Sequence, residues 1–112
     1  MKKIEVPRKY SGLLVLTNFE KGVRYYHQND ERALFEWLKR IPCVKSYHGD
    51  GPYGLVVHLK RRPGKDDLLQ FLALCHRYGA DMRKFAKFET AKNRNWFRNP
   101  KNYFHKAVFG KR

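Results

Sequence analysis

Residues 44–60 read VKSYHGDGPYGLVVHLK, two β-prone segments on either side of a turn. In the first segment, VKSYHG (44–49), side-chain character alternates as it does in a strand. The second, YGLVVHLK (53–60), has β-branched and aliphatic residues in its middle. DGP (50–52), which separates them, has the residue types that turns require. The pattern predicts a β-hairpin.

The segment before the hairpin, DERALFEWLKRI (30–41), predicts a helix. Asn29 or Asp30 can cap its start, and Glu31 suits the positive end of the helix dipole. Pro42 ends it, because proline cannot continue an α-helix. Its apolar residues recur at helical spacing, at Leu34, Trp37, Leu38 and Ile41.

Three further segments complete the pattern. GLLVLTN (12–18) is a nearly continuous apolar run, typical of a buried strand. DDLLQFLALCHRY (66–78) is acidic at its start, basic at its end and followed by Gly79, as a helix is. MRKFAKF (82–88) predicts a last strand. The order β-α-β-β-α-β predicts an α+β, ferredoxin-like (split β-α-β) sandwich, a four-stranded antiparallel sheet with two helices on one face.

Two of the strands resemble the sequence motifs of RNA-recognition-motif domains. LLVLTNF (13–19) is similar to the first motif and PYGLVVHL (52–59) to the second. The resemblance implies an RNA-recognition-like, ferredoxin-type topology. Val15 and Leu55 stand where that family has base-stacking aromatics, so the resemblance does not extend to stacking on the sheet face. The matching positions are Leu14, Leu16, Asn18 and 53–56.

The composition predicts one domain, 1–112, with a core at about 10–88 and an extension, 89–112, packed on it. The two cysteines, Cys43 and Cys75, indicate neither a disulfide framework nor a four-ligand zinc site. The first residues lack the apolar run of a signal peptide, and no window reaches the roughly 18 apolar residues of a membrane span. We therefore expect a cytoplasmic protein that does not enter the membrane.

The charge points to a polyanionic partner. The 25 Lys and Arg exceed the 10 Asp and Glu by 15, and residues 61–112 hold 14 basic against 4 acidic side chains. Such an excess is unfavourable unless a partner offsets it. We predict nucleic-acid binding, with RNA favoured, mainly through phosphate contacts. The candidate residues are Lys60, Arg61, Arg62, Lys65, Arg83, Lys84, Arg94, Arg98 and Lys101, with Trp96, Tyr103 and Phe104 for stacking.

The end of the chain, NRNWFRNPKNYFHKAVFGKR (93–112), interleaves cations with five large aromatic residues. That is too apolar for a solvated arm. Because a four-stranded sheet with helices on one face leaves the other face open, we expect this tail to cover the open face and to turn its cations outward.

Two other functions stay open. A small protein without motifs can be an inhibitor of another protein, such as a toxin immunity protein or a phage-encoded antagonist, and would then need an acidic partner surface. His48 and His58 can meet on the hairpin and act as general acid and base in a metal-independent ribonuclease. We expect neither a metal nor a cofactor, since clustered carboxylates and phosphate-binding glycine loops are absent from the sequence. The sequence does not indicate an oligomeric state.

Overall fold

The computed structural model of the protein describes residues 14–16, 23–50 and 54–110. The described part is α+β. Its strands are β1 (Leu14–Leu16), β2 (Val44–Asp50) and β3 (Gly54–Leu59). Its α-helices are α1 (Gln28–Arg40), α2 (Lys65–Tyr78), α3 (Arg94–Phe97) and α4 (His105–Phe109), and a 3-10 helix, η1, spans Arg83–Phe88.

The strands form an antiparallel sheet in the order β1-β3-β2. Val57 of β3 lies opposite Leu14 on one side and Tyr47 on the other. Because β3 is antiparallel to both neighbours, β1 and β2 run in the same direction. The pairing of β2 is irregular between Val44 and Ser46. The predicted hairpin is confirmed as β2 and β3; its turn, residues 51–53, lies outside the described residues.

The prediction of a four-stranded, ferredoxin-like sheet is wrong. The segment 82–88, predicted as the last strand, contains η1 instead. Phe85 and Phe88 are both buried, and a spacing of three residues puts them on the same side of a 3-10 helix. In a strand the same two side chains would point to opposite faces. In the described part of the chain the sheet therefore ends at β1, and η1 lies against that strand.

The two long helices form where the apolar spacing predicts them. Helix α1 buries Leu34 and Leu38. It begins earlier than expected, because the cap is His27 and neither Asn29 nor Asp30. The Nδ1 atom of His27 accepts a hydrogen bond from the backbone N–H of Asn29 at 3.0 Å. Helix α2 ends at Gly79, whose φ of 75° lies in the left-handed region that favours glycine.

A buried carboxylate, Asp67, fixes the start of α2. The side chain is 3% exposed and accepts hydrogen bonds from the backbone N–H groups of Gly64 (2.8 Å) and Cys43 (3.2 Å). Arg61 donates to the same carboxylate through Nη1 at 2.6 Å. Burial by itself raises the pKa of Asp67, but these hydrogen bonds outweigh it and hold the pKa below its ordinary value.

One hydrophobic core joins a face of the sheet to the helices and the tail. Leu14, Leu55 and Val57 from the sheet share it with buried residues of α1, α2 and η1. Phe97 and Phe104 extend it into the tail. Because side chains alternate along a strand, the residues next to these core positions point to the opposite face of the sheet.

Contrary to the expectation, the described part of the tail, residues 93–110, packs against the helices. The Nζ atom of Lys65, at the start of α2, lies 5.1 Å from the ring centre of Trp96. The ring of Tyr103 meets the ring of His76, near the end of α2, with a centroid separation of 4.8 Å. Helix α4 packs on η1. The tail therefore runs along α2 and contributes to the core on its helical side.

Candidate nucleic-acid interface

The structure brings two basic segments together that lie about 20 residues apart in the sequence. The guanidinium carbon of Arg62 lies 6.0 Å from the ring centre of Phe88, and the Nζ atom of Lys87 lies 5.3 Å from the same ring. Lys65 lies over Trp96 in the same manner. A cation over an aromatic face is attracted to the ring at these separations. We call the resulting surface the basic seam; its cations are Arg62, Lys65, Lys84, Lys87, Arg94 and Arg98.

Two arginines of the basic seam share one carboxylate. Glu89 accepts from Arg94 Nε at 3.0 Å, and from Nε and Nη2 of Arg98 at 2.7 and 2.8 Å. The hydrogen bonds from Arg98, together with those from Arg94, lower the pKa of Glu89 to about 2. One carboxylate cannot neutralise two guanidinium groups, so this part of the seam keeps a net positive charge. Arg98 also lies over the ring of Phe109, at 4.2 Å from its centre.

Two lysines of η1, Lys84 and Lys87, lie close enough to repel each other. Burial, followed by the charge of Lys84, lowers the pKa of Lys87 below its ordinary value. A lysine whose charged form is disfavoured by a like charge gains from any anion that binds between the two. Two like charges therefore lie close together on η1.

The predicted phosphate-binding cations divide into two groups. Arg61, Arg83, Arg94 and Arg98 form ion pairs, with Asp67, Asp81 and Glu89 as their partners. Within the described residues, no carboxylate lies at ion-pair distance from the second group, Lys60, Arg62, Lys65, Lys84 and Lys101. Arg61 in particular is tied to a buried partner, so it is held to the core more firmly than the other candidates.

The three predicted stacking residues differ in exposure. Phe104 is 4% exposed and sits in the core beside Phe97, with 6.0 Å between ring centres. A base cannot stack on a ring enclosed in this way, so Phe104 belongs to the core and not to an interface. Trp96 is half-buried, with Lys65 above it. Tyr103 is 52% exposed and is the one of the three with an open ring.

The structure also reveals a groove that sequence reasoning missed. The groove lies at the C-terminal end of α2, is open to solvent and has a volume of about 430 Å³. We call it the tyrosine groove, because Tyr26, 84% exposed, stands at it and Tyr103 contacts one of its residues, His76. Its lining residues are Arg24, Tyr26, Asp30, His76, Arg77, Tyr78 and Gly79.

The two candidate catalytic histidines touch each other. His48 of β2 and His58 of β3 lie on the sheet face that points away from the core, with His58 Nε2 3.0 Å from His48 Nδ1. One of these nitrogens must carry a proton and the other must accept it. The direct contact leaves no space between the rings for a phosphodiester, which general acid–base cleavage from two sides requires. The rings would have to separate before they could act on RNA.

Other chemistry finds little support in the described residues. Burial, together with the charge of Asp67, raises the pKa of Cys43 to about 11. Burial raises the pKa of Cys75 to about 12, so both thiols stay protonated and unreactive near neutral pH. No group of three or more metal-ligating side chains occurs among residues 14–16, 23–50 and 54–110.

None of the helices in the described part of the chain is both long and apolar enough to cross a bilayer.

Comparison with known proteins identifies no relative. No family model, curated protein or solved structure matches the chain. A functional assignment therefore depends on the geometry of the basic seam and the tyrosine groove.

Proposed function

We propose that the protein binds nucleic acid, with RNA favoured, through the basic seam. The observation that carries this proposal is that Arg62 and Lys87 both lie against one ring, that of Phe88. The contact of Arg62 with Phe88 joins the connection before α2 to η1. The contact of Lys65 with Trp96 joins the start of α2 to the tail, so cations from separate segments lie close together. Phosphate groups along a strand need such a row of positive charges.

The composition of the chain around the basic seam favours an anionic partner over solvent. Between residues 83 and 106 the chain carries eight Lys or Arg and one Asp or Glu. The charges of exposed lysines repel one another, and a polyanion removes that repulsion. The binding of nucleic acid should therefore raise the thermal stability of the protein.

The aromatic rings give the cations fixed positions. The charged groups of Lys65 and Arg98 lie over the rings of Trp96 and Phe109, respectively, and are attracted to them. Side chains that are already ordered lose less conformational entropy when a ligand binds. Contacts of this kind favour phosphate recognition without base readout.

The test is a binding titration with ssRNA, dsRNA, ssDNA and dsDNA at two salt concentrations. We expect affinity to fall steeply with salt. The double variant Arg62→Gln/Lys84→Gln should reduce the slope of log K against log salt by about 1.4 to 1.8, if each side chain contacts one phosphate. The matched control is Lys39→Gln/Lys45→Gln, which removes two exposed cations of α1 and β2 and should leave the slope unchanged.

Absence of binding to all four nucleic acids at low salt would rule the proposal out. An equal effect of the two double variants would show that net charge matters and the seam does not. The inhibitor hypothesis stays a prediction, because no feature of the described residues selects a protein partner over nucleic acid.

A further inference from the structure

We infer that the tyrosine groove holds an unpaired nucleotide, so that the bound nucleic acid is single-stranded where it crosses the C-terminal end of α2. This inference rests on the proposed function and specifies its ligand. The groove combines an exposed tyrosine ring, two arginines and a volume in the range of small-ligand sites.

The exposure of the rings is the first argument. Among the described residues three large apolar side chains are exposed: Tyr26, Tyr103 and Leu69. One of these three, Tyr26, lines the groove, and a second, Tyr103, packs against His76, which also lines it. An exposed tyrosine ring offers a flat face on which an unpaired base can stack, and such stacking strengthens the binding of single strands.

The charge of the lining is the second argument. Arg24 and Arg77 both line the groove. No carboxylate of the described residues lies at ion-pair distance from either arginine. Asp30, the acidic residue of the lining, already accepts a hydrogen bond from the backbone N–H of Tyr26 at 3.2 Å. Two guanidinium groups beside an open ring suit a phosphate attached to a stacked base.

The size and position of the groove are the third argument. A volume of about 430 Å³ lies within the range of small-ligand sites. Lys65 and His76 are 11 residues apart on α2, or about 16 Å at the helical rise of 1.5 Å per residue. A strand on the basic seam can therefore reach the groove along the helix. A duplex cannot present a base in the same way, because its bases are paired and stacked inside the helix.

The experiment compares Tyr26→Ala with Tyr26→Phe on a short ssRNA and on a duplex RNA of the same length. Tyr26→Ala should weaken ssRNA binding about tenfold and leave duplex binding unchanged. Tyr26→Phe keeps the ring and should bind as the parent protein does. The matched control is Leu69→Ala, which removes the exposed apolar side chain of α2 that does not line the groove. It should change neither affinity.

The outcomes separate the inference from the proposed function. If the parent protein binds no nucleic acid, the proposed function fails. If the parent binds and the seam variant weakens binding while Tyr26→Ala does not, the groove inference fails alone. Equal losses for ssRNA and duplex in Tyr26→Ala would also overturn it. Because Tyr26 is 84% exposed, the variant should fold, which circular dichroism and the melting temperature check directly.

Discussion

At the Lys65 end of α2 the cations lie over rings that are buried or half-buried, whereas at the His76 end the rings are exposed and the arginines line an open groove. Both ends combine basic and aromatic residues, and the tail contributes a ring to each, Trp96 to the first and Tyr103 to the second. The difference lies in burial. A buried ring stabilises the fold and positions a charge, while an exposed ring is available to a ligand.

This comparison predicts that stability and binding depend on different residues. Substitutions of buried side chains near the seam should unfold the protein, and substitutions at the groove should change what it binds. Four experiments test that separation.

The largest effect is expected for Phe97→Ala. Phe97 is fully buried, with Trp96 at 5.5 Å and Phe109 at 5.0 Å between ring centres. Removing its ring leaves a cavity and should lower the free energy of unfolding by about 3–5 kcal/mol, as urea denaturation measures it. Tyr103→Ala is the matched control, and should cost less than about 1 kcal/mol because that ring is half-exposed. Similar losses for both variants would contradict the comparison.

A second effect is expected for Asp67→Ala. The substitution leaves the N–H groups of Gly64 and Cys43 without their acceptor and releases Arg61. The free energy of unfolding should fall by about 2–3 kcal/mol. Asp66→Ala, one residue earlier on the exposed side of α2, should stay within about 0.5 kcal/mol. If the two variants lose equal stability, Asp67 does not anchor the seam end of α2.

A third effect depends on pH. The pKa of Glu89 is lowered from 4.5 to about 2 in the folded protein, so its pairing with Arg94 and Arg98 stabilises the fold fully above pH 4.5 and is lost as the pH falls toward 2. In Glu89→Gln this part of the acid sensitivity should disappear, and stability near neutral pH should be lower. Melting temperatures between pH 2 and 7 measure both. An unchanged profile would show that the pair does not form in solution.

The smallest effect on stability is expected for Tyr26→Ala. The side chain is 84% exposed, so the free energy of unfolding should change by less than about 0.5 kcal/mol. Urea denaturation of Tyr26→Ala and Phe97→Ala side by side compares the smallest with the largest expected loss of stability. A large loss of stability in Tyr26→Ala would show that Tyr26 stabilises the fold, and would contradict the comparison.

The sequence predicts the elements of this protein better than their assembly. Apolar spacing locates α1 and α2, and alternation locates the hairpin, because each pattern lies within one segment. The error at 82–88 has a local cause. The residue types of MRKFAKF suit a strand, while burial of both Phe85 and Phe88 requires the three-residue period of a 3-10 helix.

The site was harder to foresee, because contacts between distant segments create it. The tyrosine groove combines residues 24–30 with residues 76–79, and Tyr103 joins it from the tail. No local pattern links these segments. The pair of tyrosines at 25–26, in an otherwise polar stretch, was the available signal. Similarly, the basic runs were visible in the sequence, but the ion pairs that occupy Arg61 and Arg83 were not.

The carboxylate of Asp67 has a dynamic consequence. It holds amide protons from two separate segments, Cys43 at the start of β2 and Gly64 at the start of α2. Neither amide can exchange with solvent while this buried acceptor stays in place, so the two should exchange at a common rate set by a shared opening event. Arg62 lies in the short connection between β3 and α2, two residues before Gly64. The basic seam therefore begins on backbone that opens together with the core.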